Sequence, residues 1–308
     1  MRKKKKKKTI IILCVALLIL GIAYLSREQV VLWVLKDVFH VSEKKVIAPK
    51  TNEYTRNWDY KYVHNTDDFT PKNKEDIRNI YYTFLNSGTT SFSFYCPDSY
   101  ESCISDVKEF SENKTAIGSL NDYVHPYNEF KHIETGFNKL GKVTLKVNKV
   151  YTRSKINKIN KEVDRIIKEE IKDEKDVNEQ IKIVHDYIIN NTKYDSNRSD
   201  NKNAEYESNT AYGTLIQGYA LCGGYTDAIA IILDRLGIKN FSIESDSHIW
   251  NAVYINDAWY HLDLTWDDPV NSDKSDTLQY NFFLITTEEL NELKTNYHIY
   301  DKKIYQEI

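Results

Sequence analysis

The stretch Cys222-Gly223-Gly224-Tyr225-Thr226-Asp227-Ala228-Ile229-Ala230-Ile231-Ile232-Leu233-Asp234-Arg235-Leu236-Gly237 puts a cysteine at the head of an amphipathic pattern. Tyr225, Ile229, Ile232, Leu233 and Leu236 recur at helical spacing, which predicts a helix over Gly223–Leu236 with Gly237 as its stop. The first turn of a helix presents unpaired amides and the positive end of the dipole, and both favour a thiolate, the reactive form of cysteine. Gly223 and Gly224 leave room for a substrate backbone to come close. Taken alone, Cys222 reads equally well as a small core residue beside two glycines.

Downstream, His248–Ile255 and Ala258–Thr265 are two β-type runs separated by Asn256-Asp257, a dipeptide suited to a two-residue hairpin turn. Such a turn pairs Ile255 with Ala258, sets His248 opposite Thr265 and sets Trp250 opposite Asp263. His248 and Asp263 are then diagonal neighbours on one face, within reach of a hydrogen bond. A one-residue slip would send Asp263 to the other face, so the inference rests on the register. A helix-terminal thiol, an imidazole and an orienting carboxylate are the parts of nucleophilic acyl chemistry. The imidazole takes the thiol proton and later gives a proton to the leaving group, while the carboxylate fixes the tautomer.

Four blocks carry a family likeness: Ala211-Tyr212-Gly213, Gly218-Tyr219-Ala220-Leu221-Cys222-Gly223-Gly224-Tyr225, His248-Ile249-Trp250-Asn251, and Trp259-Tyr260-His261-Leu262-Asp263-Leu264-Thr265-Trp266-Asp267-Asp268-Pro269. Together they resemble the core of bacterial transglutaminase-like domains, over roughly Ile183 to Leu293. The resemblance implies an α+β fold with a papain-like core, in which the cysteine-bearing helix packs on an antiparallel sheet. It implies Cys222 as nucleophile, His248 as base and Asp263 as orienting acid, with no cofactor and no metal. It leaves the reaction open, because the superfamily holds cross-linkers, peptidases, amidases and silent scaffolds. The competing reading is therefore a surface binding module that uses the same groove without turnover. For the oxyanion hole, the Cys222 amide is one candidate, with Gln217, Tyr194 or Tyr212 as a second. Trp250, Trp259 and Trp266 either line an acyl groove or fill the core.

The leader sets the expected compartment. Arg2 and Lys3 to Lys8 precede an uncharged apolar run from Thr9 to Leu25. As a helix that run covers ~25 Å, at the short end of what spans a hydrocarbon core of about 30 Å. Basic residues stay on the cytoplasmic side, so residues 9–25 are expected to anchor the chain in the cell membrane as a single pass, N-terminus inside and the rest outside. Cleavage at the small-x-small signal Gly21-Ile22-Ala23 would instead release a secreted form. Without residues 1–8, 35 basic residues face 45 acidic ones, a net charge of −10. That balance argues against binding nucleic acid or anionic lipid by bulk charge. The expected partner is a protein or peptide substrate at the cell surface or cell wall. Of the four cysteines, Cys14 lies in the apolar run. Cys96 and Cys103, seven apart around Pro97-Asp98, form either a bridge outside the cell or two buried thiols. Cys222 is left unpaired.

The chain divides by pattern into the leader (1–25), a polar juxtamembrane stalk (26–71), a small α/β module without evident chemistry (72–152) and the transglutaminase-like domain (153–308). In the module, Ile77, Ile80, Tyr81 and Phe84 mark a helix from Lys74 to Leu85, Ser91–Tyr95 reads as a strand, and Phe130–Phe137 with Lys142–Val150 read as a hairpin. His125 and His132 lack partners at ligand spacing and read as surface or hydrogen-bonding residues. Two further helices follow. Ser154–Ile171 carries Ile156, Ile159, Val163, Ile166 and Ile167, and Asp176–Asn190 carries Val177, Ile181, Val184 and Ile188. The polar, aperiodic stretch Asp195–Asn209 is long enough to be a flap over a site. Within it Asp195, Asn197 and Ser199 alternate like calcium ligands, but Asp200 stands where such a loop needs glycine, which argues against calcium.

Overall fold

The computed structural model describes residues 46–138, 140–201, 205–269 and 278–308, together with Tyr24 and Arg27. Apart from Tyr24, the expected anchor and its cleavage signal lie outside the described residues. Among the described residues no helix is long and apolar enough to cross a membrane.

Residues 46–73 form an irregular strap, and from Val46 on the expected stalk is a packed part of the body. Tyr60, Tyr62, Val63 and Phe69 are buried in it. Arg56 sends its guanidinium to Asp234 at 2.8 Å and to Asn240 Oδ1 at 3.0 Å. Such a strap has no periodicity, because each aromatic side chain docks singly rather than along a helix face or strand.

The first helix, α1 (Lys74–Asn86), starts where the Asn73 side chain accepts the Asp76 amide, and it buries Ile77, Ile80, Tyr81 and Phe84. Then come β1 (Ser91–Tyr95), α2 (Cys103–Glu112), α3 (Lys114–Tyr123), β2 (Phe130–Phe137) and β3 (Lys142–Lys149). The three strands make an antiparallel sheet in the order β1-β3-β2. Cys96 and Cys103 are joined in a disulfide that ties the end of β1 to the start of α2. Next are α4 (Arg153–Ile166), which runs on into a π turn at Ile167–Ile171, and α5 (Val177–Asn191). Ile159, Val163 and Ile166 are buried as the pattern requires, whereas Val177, the first residue of α5, is exposed.

The short strands β4 (Lys193–Tyr194) and β5 (Tyr219–Ala220) pair in parallel and flank the short helix α6 (Ser196–Asn201). Helix α7 (Cys222–Arg235) leads into β6 (Asn240–Glu244), β7 (Ile249–Ile255), β8 (Ala258–Leu262), α8 (Leu264–Asp267), β9 (Phe283–Ile285) and α9 (Thr287–Glu292). Strands β6-β7-β8-β9 form an antiparallel sheet in that order.

This sheet is a wall between two cores. Phe241, Ile243, Trp250 and Ala252 point into a core shared with Tyr81, Phe94, Leu120 and Tyr123 of the α/β module. Val253, Ile255 and Leu262 point the other way, into a core built with α4, α5 and α7. The module at 72–152 therefore covers the far face of the site-bearing sheet, and no boundary between cores falls at residue 152. Helix α7 lies between α5 and the sheet, so Gly224 through Leu233 are all buried and the expected polar face is absent there.

Candidate active site

The β7–β8 turn has Asn256 at φ 51° and Asp257 at φ 63°. Both are left-handed, as a tight I′-type hairpin turn demands. Ile255 pairs with Ala258, Ala252 with His261 and Asn251 with Leu262, the register anticipated from the turn. The strand stops at Leu262, however, and Asp263 caps α8. Its Oδ1 accepts the amides of Thr265 at 2.9 Å and Trp266 at 3.3 Å. Its Oδ2 lies 2.5 Å from His248 Nε2. Capping, rather than strand alternation alone, aims the carboxylate.

His248 precedes β7 and is held there by Ser245, whose Oγ accepts the His248 amide at 3.1 Å. Its ring stacks on buried Trp250, centroid to centroid 5.7 Å at 13°. A carboxylate only accepts, so Nε2 carries a hydrogen, and Nδ1 is the nitrogen left for the thiol. Cys222 lies near enough to this imidazole to favour its charged form. Burial pushes His248 down, but the charge and hydrogen bond of Asp263 outweigh it and Cys222 adds to them, so His248 rises to about 10. Burial likewise pushes Asp263 up, but the charge and hydrogen bond of His248, with a contribution from His298, bring it down to about 2. Each partner thus favours the charged form of the other, and a charged His248 holds a proton for a leaving group.

Cys222 opens α7 and is half-buried. Its N-cap, Leu221, gives no side-chain cap. The Leu221 carbonyl takes the Gly224 and Tyr225 amides, at 2.9 and 3.2 Å. The glycines serve the chain itself rather than a substrate. A Cβ on Gly224 would lie 2.2 Å from the Ser208 carbonyl oxygen, and one on Gly223 would lie 3.3 Å from that of Asn209. Residues 208–209, the end of the expected flap, are thereby seated on the first turn of α7, and the Leu221 amide donates to Ser208 O at 2.8 Å. Asp195 is buried and bound into the same flap. It accepts the Arg198 amide at 3.2 Å and the Ser208 hydroxyl, so it does not face outward as a calcium ligand.

The other candidates have partners of their own. Gln217 Oε1 accepts the Glu207 amide at 2.9 Å. The Tyr212 hydroxyl accepts from Lys158 Nζ at 3.2 Å, on the α4 side. Tyr194 pairs with Ala220 and packs on the α4–α5–α7 core. Trp250 meets the histidine but as packing behind its ring, and its indole N–H donates to His261 Nδ1 at 3.0 Å. Trp259 packs on Phe241 beneath the strap, away from the thiol. Trp266 alone of the three tryptophans is half-buried beside both His248, at 6.3 Å, and exposed Tyr297, at 5.5 Å. His125 is buried, with Nδ1 accepting the Tyr127 amide, and His132 is exposed.

One residue at the site escaped the sequence reading. His298, in a short 3-10 turn at Asn296–His298, brings Nε2 to 2.9 Å from Asp263 Oδ2. No periodicity or short spacing ties it to Asp263, 35 residues earlier. Ligand atoms of His248, Asp263 and His298 all lie within 4.8 Å of one another. The 2.5 and 2.9 Å separations are those of hydrogen bonds, whereas two ligands ~2.0–2.1 Å from a tetrahedral ion stand about 3.3 Å apart.

Residues 165–264 match the family described as the transglutaminase-like superfamily, and this span contains Cys222, His248 and Asp263. The chain shows its likeness to this superfamily over about a third of its length. Among solved structures it is similar to a protein described as a TGase, at 15% identity and TM-score 0.35, over 46% of each chain. It is also similar to a proposed cysteine protease from Cytophaga hutchinsonii, at 16% identity and TM-score 0.28, over 44% of this chain and 61% of that one. It spans about half the length of the first and under two thirds of the second. No curated protein matches it.

Proposed function

We propose that this protein is an exported cysteine acyltransferase or hydrolase that works through a thioester at Cys222. The observation that carries the reading is the placement of His248, held by Asp263 at 2.5 Å and near enough to Cys222 for the two to influence each other's charge. The Cys222 sulfur, its proton passed to His248, attacks a carboxamide or peptide carbonyl. The S–C bond forms as the C–N bond breaks, and the amine leaves with the proton that His248 returns. An amine that then attacks the thioester gives an isopeptide bond and water gives the acid, each restoring the thiol. The uncapped head of α7 supports the Cys222 amide as an oxyanion donor.

The substrate is a protein or peptide at the cell surface or wall. Export rests on the basic run followed by the apolar run at 9–25, and the Cys96–Cys103 disulfide agrees with an oxidising compartment. Cell-surface proteins incubated with residues 46–308 and a tagged primary amine are expected to acquire the tag only when Cys222 is intact. Cleaved or deamidated surface peptides without tag would point to hydrolysis. A wild-type protein that gives neither, with its thiol inert to iodoacetamide, would sink the proposal.

A further inference from the structure

We propose that His298 is a positioning residue of this site, a second histidine that shares the Asp263 carboxylate and fixes it for His248; the inference rests on the catalytic reading above. Asp263 Oδ2 receives His248 Nε2 at 2.5 Å and His298 Nε2 at 2.9 Å, while Oδ1 receives two backbone amides. All four contacts require a donor facing an acceptor-only oxygen, so the carboxylate is satisfied as an anion with no lone pair turned to solvent. With Nε2 carrying its hydrogen, His298 Nδ1 accepts from the Thr295 hydroxyl at 2.5 Å, so one tautomer satisfies both ring nitrogens.

The ring itself is locked. It stacks on Phe282 at 5.0 Å and 16°, and stands edge-on to Trp250, Trp266 and His248 at 4.7, 5.0 and 5.2 Å. Its side chain is 2% exposed, as is that of Asp263. A buried polar ring costs stability unless it is bonded, so the surroundings enforce the hydrogen bond to Asp263. The ring thus adds a second N–H to the oxygen that orients His248, in a pair of side chains each 2% exposed. Without it Oδ2 loses one of its two fixed donors, and the His248 imidazole loses a wall. Because Asp263 touches His248 and not the reacting carbonyl, His298 acts through another residue and does no chemistry of its own.

The test is the rate at which iodoacetamide alkylates Cys222, followed by mass spectrometry, alongside thermal unfolding of each variant. His298→Phe keeps the ring and removes the donor. His298→Gln keeps a donor at about the position of Nε2. The expected result is that His298→Phe slows alkylation by roughly tenfold or more, as small misplacements of catalytic groups do, and that His298→Gln restores most of the rate. If His298→Phe does not fold, Thr295→Val, which removes the Nδ1 partner, is expected to slow alkylation in the same direction. Wild-type rates in the foldable variants, or losses in Phe and Gln alike that track the melting temperature, would overturn the inference. His248→Gln separates the two levels. If it slows alkylation while His298→Phe does not, only the role of His298 falls. If wild-type Cys222 is not alkylated at all, the catalytic reading falls and this inference with it.

Discussion

His248 and Asp263 meet at 2.5 Å although neither lies inside a strand: one immediately precedes β7 and the other immediately follows β8. Their electrostatics work in the same direction. His248 stands at about 10, above its ordinary ~6.5, so its stabilising share is complete below ~6.5 and is lost as pH rises through 10. Asp263 stands at about 2, below its ordinary ~3.9, so its share is complete above ~4 and is lost as pH falls through 2. Asp263→Asn is therefore expected to be most destabilising between about pH 4 and 6.5, by about 3 kcal/mol, the cost of breaking a buried pair. The gap to wild type should narrow steadily toward pH 10. Urea unfolding of both proteins at pH 5, 7.5 and 9.5 measures it, and a gap independent of pH would show that the pair is not ionised.

Arg56 gives a second prediction, about the strap. Its guanidinium donates to Asp234 and Asn240 from a side chain 4% exposed, against 9% for Asp234. Removing one partner of a buried ion pair leaves the other charge uncompensated, so Arg56→Ala is expected to cost about 3–5 kcal/mol. Were the strap a loose spacer, the change would fall within ~0.5 kcal/mol, as surface substitutions do. The urea midpoint decides between the two.

What was legible here and what was not have separate physical causes. The hairpin was legible because a two-residue turn fixes pairing arithmetically, and Ile255 does pair with Ala258. The helix that Cys222 opens was legible from its apolar spacing and from Gly237, which stands just past its end at φ 74°. The polarity of α7 was misjudged, since periodicity shows which face must be buried and not whether the opposite face is covered too. Tyr60 and Tyr62 in the strap, and His298 at the site, carry no local signal. Each is fixed by contacts far away in sequence, such as Tyr60 Oη with the Asn240 carbonyl at 2.7 Å. The glycines at 223 and 224 were rightly read as demanding closeness, but the close neighbour is Ser208–Asn209 of the same chain.

That seating supplies a third prediction. A Cβ at residue 224 lands 2.2 Å from the Ser208 carbonyl oxygen, a backbone atom that must move, while one at 223 meets Asn209 O at 3.3 Å. Gly224→Ala is expected to destabilise by about 1–3 kcal/mol, the usual cost of overpacking, and to slow Cys222 alkylation as residues 208–209 lift from α7. Gly223→Ala should show less of both. The reverse ranking would mean that residues 208–209 do not rest on the helix.

The last prediction separates chemistry from packing at Cys222. Ser and Cys differ by one atom, and the site is half-buried beside an imidazole that can bond a hydroxyl. Cys222→Ser should therefore change stability by less than about 1 kcal/mol. Activity should nevertheless vanish, because a serine hydroxyl is a far weaker nucleophile than a cysteine thiolate and was not placed for one. A cysteine kept only for packing gives the opposite pair of results. A hydroxyl without a partner in an apolar site costs roughly 1–3 kcal/mol, and function then falls in step with stability. The Cys222→Ser/His248→Gln double variant extends the test, since groups on one proton-transfer path are non-additive. It should be scarcely less active than Cys222→Ser alone. Melting temperatures read beside amine incorporation for Cys222→Ser, His248→Gln and the double variant decide it, and losses that multiply would mean that Cys222 and His248 do not share a reaction path.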